Sequence, residues 1–372
     1  MTKLPLFNKP LSAEATTSFT LPSDYYLDDE IFELEKRRIF YRTWQYVSHE
    51  ILLPNIGDYT TLKLFDENIF VIRSKDGELR AFYNVCRHRA HELLKGSGSI
   101  RKRIVCPYHA WSYDSDGCLM SARMADNRPG FDKADFGLKQ IRLEVFCGCV
   151  FINLDNNCKS LSSMTGGLEE DIRKHVPYMD NLKSCGSNLL GETYMEAGWK
   201  VVVDNYVECY HCRPAHHDFA SIINMDAYEV DIEGIWSKQY GGDIRLDNTA
   251  YPVSADTGVQ YSIFWYLWPN TTFNVLPGSN EFHIFSVQPK DVQSSYFAGH
   301  SFSDSGEAFQ PRTEYTQNVL APEDISLCES VQRGLRSQSY DQGVFVVDPK
   351  KPGESEHALH HFHRMVQQAL SE

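Results

Sequence analysis

No stretch of the 372-residue chain approaches the roughly 20 consecutive apolar residues that a membrane-spanning helix needs. The first residues, MTKLPLFNKPLSAEATTSFTLPSD, lack the apolar run and small-residue cleavage site of a secretory signal. Basic residues are in deficit, 36 Lys and Arg against 50 Asp and Glu, for a net charge of −14. Without a basic stripe to hold a phosphate backbone, nucleic acid is not an expected partner. Internal repeats and low-complexity tracts are missing as well. What these absences leave is a soluble, cytoplasmic, globular protein with no membrane partner, and its 42% hydrophobic content suffices for buried cores.

Ten cysteines are scattered over the chain. With no export signal they read as reduced thiols or metal ligands rather than as a disulfide framework. Six of them, Cys118, Cys147, Cys149, Cys158, Cys185 and Cys328, lie outside any ligand spacing and read as small core residues.

In LDDEIFELEKRRIF, Leu27, Ile31 and Leu34 fall on one helical face, with acids opening the segment and bases closing it as the helix dipole favours. From about residue 57 the period becomes that of strands: DYTTLKLF, NIFVIRS, a turn at Lys75-Asp76-Gly77, ELRAFYNV, and on to GCVFINLD. Residues 45–157 therefore read as a small all-β module. Beyond 160, helical patterns such as GGLEEDIRKHVPYM alternate with aromatic strands such as YSIFWYLW and FHIFSVQP, and two helical patterns end the chain. That part reads as α+β.

Within the β module, CRHRAHELLKGSGSIRKRIVCPYH holds Cys86, His88, Cys106 and His109 in the pattern C-x-H, seventeen residues, C-x-x-H. Zinc fingers usually pair Cys with Cys and His with His around one ion. Here each loop offers one thiolate and one imidazole, which suits two irons, one held by Cys86 and Cys106 and the other by His88 and His109, as in a Rieske [2Fe–2S] cluster. A structural zinc site is the competing reading. Gly96 and Gly98 allow tight turns, Pro107 stiffens the second loop, and Tyr108 and Trp111 are placed to pack beside a cluster.

A second motif, DNYVECYHCRPAHHDF, carries His211 and His216. Five residues apart, they would diverge on an unbroken helix, but Pro214 interrupts it and lets both face one ion. Two histidines and a carboxylate on one face leave positions open for O2 and substrate, the arrangement of non-haem iron oxygenases. The candidate third ligand is Asp324 in APEDISLCES, where Pro322 favours a helix start; as an alternative, Asp324 merely complements the helix dipole. Glu323, Asp204 and Asp218 compete for the role, and His217 reads as an outer neighbour.

Taken together, CRHRAHELL…CPYHAWSY and DNYVECYHCRPAHHDF resemble the two metal motifs of the α subunits of Rieske non-haem iron oxygenases, and the resemblance spans nearly the whole chain. Within that family, WKVVVDNYVECYHCRPAH, FNVLPGSN and PEDISLCESVQRGL are similar to the branch acting on small quaternary ammonium compounds of the carnitine, glycine betaine and choline type. The resemblance implies an α+β protein with a central antiparallel sheet, formed by residues 1–44 and 158–372, into which a Rieske domain at 45–157 is inserted. It implies Asp324 as the carboxylate ligand of Fe(II). Glu208 would be the acid that bridges a cluster histidine of one subunit to an iron histidine of the next in a homotrimer. The expected partner is a flavin and iron–sulfur reductase fed by NAD(P)H. The expected reaction is hydroxylation with O2 beside the nitrogen, followed by C–N cleavage or N-demethylation.

A trimethylammonium group prefers aromatic faces. Tyr206, Trp265, Trp268 and Phe273 are the candidates for such a cage, although an aromatic strand is more often core. Two other functions remain open on the residues alone. One is oxidation of an aromatic acid, which would want a pocket Arg or Lys; the other is a zinc-binding or electron-carrying protein without catalysis.

Overall fold

The structure, a computed structural model, describes residues 7–186, 188–190, 193–256 and 258–371. Two compact units form: Tyr41–Leu161, and a second unit assembled from Met1–Phe40 and Ser162–Glu372. The β module is thus inserted in the other unit's chain. By packing this unit takes in 41–161: Tyr41 lies edge-on against Phe65 at 6.0 Å and Leu161 N donates to Glu144 Oε2 at 2.8 Å.

The inserted unit contains strands β1 (Gln45–His49), β2 (Asp58–Leu64), β3 (Glu67–Arg73), β4 (Leu79–Tyr83), β5 (Ser97–Ser99), β6 (Ile104–Val105), β7 (Ser112–Tyr113), β8 (Leu119–Ser121), β9 (Gln140–Phe146) and β10 (Cys149–Asn153). Seven of them pair antiparallel in the order β1-β10-β9-β4-β3-β2-β5, and β6-β7-β8 form a second sheet. Phe70, Phe82, Ile104, Trp111 and Tyr113 close the core between them together with Cys86 and Cys106. Gly98 is the register partner of Tyr59, and a Cβ there would press on that side chain, 3.0 Å from its hydroxyl oxygen and 3.1 Å from its ring.

The larger unit opens with α1 (Asp29–Glu35), whose N-cap Asp28 accepts from Glu30 N at 2.7 Å. Next come α2 (Leu161–Thr165), α3 (Leu168–His175), α4 (Trp199–Tyr206), α5 (Cys212–Ala215) and α6 (His217–Ile222), then α7 (Gln310–Tyr315), α8 (Ala321–Gly334) and α9 (His357–Ser371). Its sheet comprises β11 (Lys183–Ser184), β12 (Thr193–Met195), β13 (Tyr228–Glu233), β14 (Trp236–Gly241), β15 (Ser262–Leu267), β16 (Thr271–Val275), β17 (Glu281–Asp291) and β18 (Ser294–Ser303). The order is β11-β18-β17-β16-β15-β14-β13, antiparallel throughout, with β12 also on β18. Every residue of β16 is buried, as expected of a central strand covered on both faces. In the first turn of α4, Lys200 forms a buried ion pair with Glu35, which also accepts from Trp199 Nε1 at 2.8 Å. Among the described residues no helix is long and apolar enough to cross a membrane.

Candidate metal centres and cavity

In the inserted unit, two loops end in the same turn. Cys86 N donates to His91 O and Cys106 N to Trp111 O, both at 2.8 Å. The Cys86 and Cys106 carbonyls accept from Ala90 N and Ala110 N, both at 3.0 Å. Ala90 and Ala110 both take the left-handed conformation, at φ 57° and 60°, to close these turns. The loops thus bring their cysteines together in the core, each 2% exposed, while His88 and His109 sit further out with ring centroids 4.6 Å apart. Two inner thiols and two outer imidazoles are the donor set of a Rieske cluster and fit that group. Trp111 stacks on His88 at 4.8 Å, and Tyr108 lies 3.7 Å from the His109 ring. Burial pushes the His109 pKa down, with His88 and Arg89 adding to the effect.

Two supports of these loops escape a sequence reading. Asn84 is buried and holds the first loop through Leu93 N, Leu94 N and Leu94 O at 3.2, 2.9 and 2.7 Å. Tyr113 Oη accepts from Arg87 N at 2.9 Å and lies 3.4 Å from Cys86 Sγ.

In the larger unit, α4 ends at Tyr206, and the chain turns through Glu208 to α5 before breaking again at His216 (φ −119°, ψ 67°). The interruption expected at Pro214 thus falls at His216, with Pro214 inside the short turn before it. Opposite, α7 and α8 are joined by a π-helical turn, Thr316–Leu320, so Pro322 lies near the start of α8 without opening a free helix. π-turns often occur at functional sites because the extra residue redirects the side chains around it.

These elements bring ligand atoms of His211, His216 and Asp324 within 4.8 Å of one another. His216 Nε2 is 2.9 Å and His211 Nε2 3.7 Å from Asp324 Oδ1. The outward nitrogens are held as well: His211 Nδ1 by Glu208 Oε1 at 2.5 Å, and His216 Nδ1 by Glu323 Oε2 at 2.8 Å. Carboxylates on Nδ1 fix each ring so that Nε2 faces the shared corner, the usual support of a ligating histidine. Burial opposes charging His216, yet Asp324 and Glu323 outweigh it and raise its pKa to about 8. Such a corner carries surplus negative charge, and its two nitrogens and one carboxylate oxygen fit a ferrous ion.

The rival carboxylates point elsewhere. Asp204 accepts from Tyr26 Oη at 2.7 Å and meets His363 Nε2 at 3.0 Å, Asp218 accepts from Thr249 Oγ1, and Glu323 sits on the outer side of His216. His217 is exposed. Contrary to the expectation of reduced thiols, Cys209 and Cys212, which flank His211, form a disulfide.

A cavity of about 160 Å³ opens at this corner. Tyr206 lines it, its hydroxyl donating to Asn274 Oδ1 at 2.7 Å. The other three aromatic candidates do not line it. Trp265 points away and donates to Asp171 Oδ2 at 2.7 Å, Phe273 stacks on Phe282 at 5.8 Å, and Trp268 packs on Trp199 and Phe362. Their places are taken by Phe219, Tyr228 and Phe264, with Phe285 and Phe297 further along the wall. The cause is strand phase. Phe264 and Asn274 are register partners whose side chains line the cavity, so Trp265 and Phe273, one residue on, face the other side of the sheet.

Fold and site together define an oxygenase α subunit with a cluster module and an iron-binding module. Residues 43–136 match the Rieske [2Fe-2S] domain and residues 179–372 the ring hydroxylating alpha subunit catalytic domain. The carnitine monooxygenase oxygenase subunit of Acinetobacter baumannii is 38% identical over 96% of each chain. Chloroplastic choline monooxygenase of Spinacia oleracea is 31% identical over 94% of this chain and 78% of its own. Among solved structures, the quaternary ammonium Rieske monooxygenase CntA in complex with L-carnitine is similar at a TM-score of 0.86 and 36% identity, over 99% of both chains. Other structures of that enzyme hold γ-butyrobetaine or bear on its inter-subunit electron transfer. The chain belongs to the family of Rieske non-haem iron oxygenase α subunits, enzymes with a Rieske [2Fe–2S] cluster and a mononuclear iron.

Proposed function

We propose that this chain is the oxygenase component of a monooxygenase that hydroxylates a carbon next to the nitrogen of a small quaternary ammonium compound. The observation that carries this reading is the cavity wall: the aromatic side chains of Tyr206, Phe219, Tyr228 and Phe264 line it together with His211, His216 and Asp324, and no Lys or Arg is among its described residues. A trimethylammonium group is attracted by aromatic faces. An aromatic acid would need a cation in the wall, and this disfavours the rival substrate class.

Cys86, Cys106, His88 and His109 would hold the cluster, and His211, His216 and Asp324 the iron. When bound, these groups supply single electrons and the centre at which O2 is reduced. The chain's own residues then have distinct tasks. Glu208 and Glu323 keep the two ligand rings turned inward, Tyr206 offers its ring face to the ammonium, and the apolar wall keeps bulk water out. Burial keeps the Tyr206 phenol protonated, so it remains a donor to Asn274.

In balance, R–CH2–N⁺(CH3)3, O2, two electrons and two protons give the carbinol R–CH(OH)–N⁺(CH3)3 and water. The carbinol then breaks its C–N bond to an aldehyde and trimethylammonium; attack on a methyl group gives formaldehyde and the demethylated amine instead. The electrons come from NAD(P)H through a separate flavin and iron–sulfur reductase, which suits a cytoplasmic setting. Glu208, with its side chain 10% exposed, is assigned a second role as the bridge to a cluster histidine of a neighbouring copy in a head-to-tail homotrimer.

A single turnover tests the reading. The protein is reduced chemically and mixed with O2 and a panel of trimethylammonium compounds and aromatic acids, and the products are identified by mass spectrometry. Trimethylamine, or formaldehyde with a demethylated amine, is the expected result. A hydroxylated or demethylated aromatic product would refute it.

A further inference from the structure

Cys209 and Cys212 are joined by the one disulfide among the described residues, although the chain has ten cysteines. The bridge spans His211. Glu208, which holds the His211 ring, directly precedes it, and His216 N donates to Cys212 O at 2.8 Å. One covalent tie thus sits among Glu208 and both ligand histidines. A bridge over a sequence separation of 3 adds little to the stability of the whole fold, because the chain-entropy gain grows with loop length. An isolated bridge in a chain otherwise rich in thiols suits a redox-active pair better than a framework.

The way in to these sulfurs is the cavity. Cys209 and Cys212 are 1 and 5% exposed and pack with Phe219, Ile222 and Met225, yet both line the cavity at the ion corner. Hydrogen peroxide and a small dithiol fit such a space, whereas the reactive sulfur of a protein oxidant does not reach it. Oxidation then balances with peroxide alone. One sulfur attacks an oxygen of H2O2, the O–O bond breaks, and a sulfenic acid and water form. The second sulfur attacks the first, the S–O bond breaks, and the hydroxyl leaves as water. In sum, two thiols and H2O2 give one disulfide and two waters. A small dithiol reverses this by exchange and is itself oxidised to a disulfide.

We propose that Cys209 and Cys212 are a redox site of the cavity, oxidised by hydrogen peroxide and reduced by a small dithiol, and that the disulfide state tightens the hold of the His211–His216–Asp324 corner on its divalent ion. With the tie cut, the turn carrying Glu208 and His211 regains backbone freedom that ion binding must then remove. This rests on the reading of that corner as an ion site.

The test uses the full chain with its cluster in place and the corner freed of iron by chelation. One sample is reduced with dithiothreitol, and part of it is reoxidised with equimolar peroxide. Both are desalted under argon, their thiols are counted by mass spectrometry, and Co2+ is titrated by calorimetry. The disulfide form is expected to bind Co2+ at least about five-fold more tightly, and reoxidation should restore that affinity to the reduced sample. The double variant Cys209→Ser, Cys212→Ser should bind like the reduced form before and after peroxide. A bond that resists dithiothreitol in the folded protein, or thiols that peroxide leaves unjoined, overturns the redox site. Equal affinity in both states overturns the coupling and leaves the ion corner standing. If neither state binds Co2+, the coupling and the ion corner fall together.

Discussion

Replacing Tyr113 with phenylalanine tests the cluster environment through one hydroxyl. Tyr113 Oη accepts the Arg87 N–H at 2.9 Å, which directs its own proton towards Cys86 Sγ, 3.4 Å away. Burial keeps that phenol protonated. A thiolate bound to iron can only accept, so the hydroxyl is the donor. A reduced cluster carries one more negative charge than an oxidised one, and the donated bond therefore favours the reduced form. A hydrogen bond to a charged group is worth roughly 1 kcal/mol more than one to a neutral group. For a one-electron couple, about 59 mV corresponds to a tenfold change in equilibrium constant, so Tyr113→Phe should lower the cluster potential by roughly 40 mV. The ring itself stays packed against its neighbours, so the cluster should still assemble. A redox titration followed by visible circular dichroism, with iron and sulfide analysis to verify occupancy, reads the shift. An unchanged or raised potential at full occupancy would refute the reasoning.

Four further predictions concern the larger unit. Glu35→Ala leaves Lys200, 2% exposed, as an unpaired buried charge and should cost about 3–5 kcal/mol in urea unfolding; a loss below about 1 kcal/mol would show that the pair is not desolvated as described. His211→Ala should abolish turnover and remove the mononuclear iron while sparing the visible Rieske spectrum, whereas Glu208→Gln should retain both metals and slow cluster-to-iron electron transfer about ten-fold or more. Native transfer in Glu208→Gln would rule out the bridge. The peptide carrying Cys209 and Cys212 should be lighter by two hydrogens in mass spectrometry of protein purified without reductant, and alkylation of both thiols before reduction would contradict the disulfide.

The four candidate cluster ligands could be picked out in the sequence because their geometry is local. Cys86 with His88 and Cys106 with His109 lie within single tight turns, and the positions of the alanines that close those turns follow the cysteines at the same spacing. The alternation of thiol and imidazole arises from two equivalent turns that direct cysteine to the core and histidine outward. Tyr113 was missed for the opposite reason. It lies in a two-residue strand 27 positions from Cys86, and nothing in the strand period distinguishes a tyrosine that fills the core from one that also donates to a sulfur.

At the candidate metal corner, the histidines stood out by type and spacing, but the carboxylate that meets them lies 108 residues beyond His216, and neither composition nor period separates Asp324 from Glu323. The π-helical turn before α8 helps to set which of the two adjacent acids meets Nε2 and which meets Nδ1. Strand phase decides the cavity wall in a similar way. In a sheet buried on both faces, hydrophobic character no longer marks the functional side, so the most conspicuous aromatics, Trp265 and Phe273, went to the core while Phe264 and Asn274 beside them turned to the site. The same phase leaves the described residues of the wall without a Lys or Arg: Lys238, the register partner of Trp265 on β14, points with it to Asp171, while its neighbour Gln239 faces the cavity. A one-residue slip of β14 would carry an ammonium into the pocket. The register of this sheet therefore helps to keep the site selective for cations.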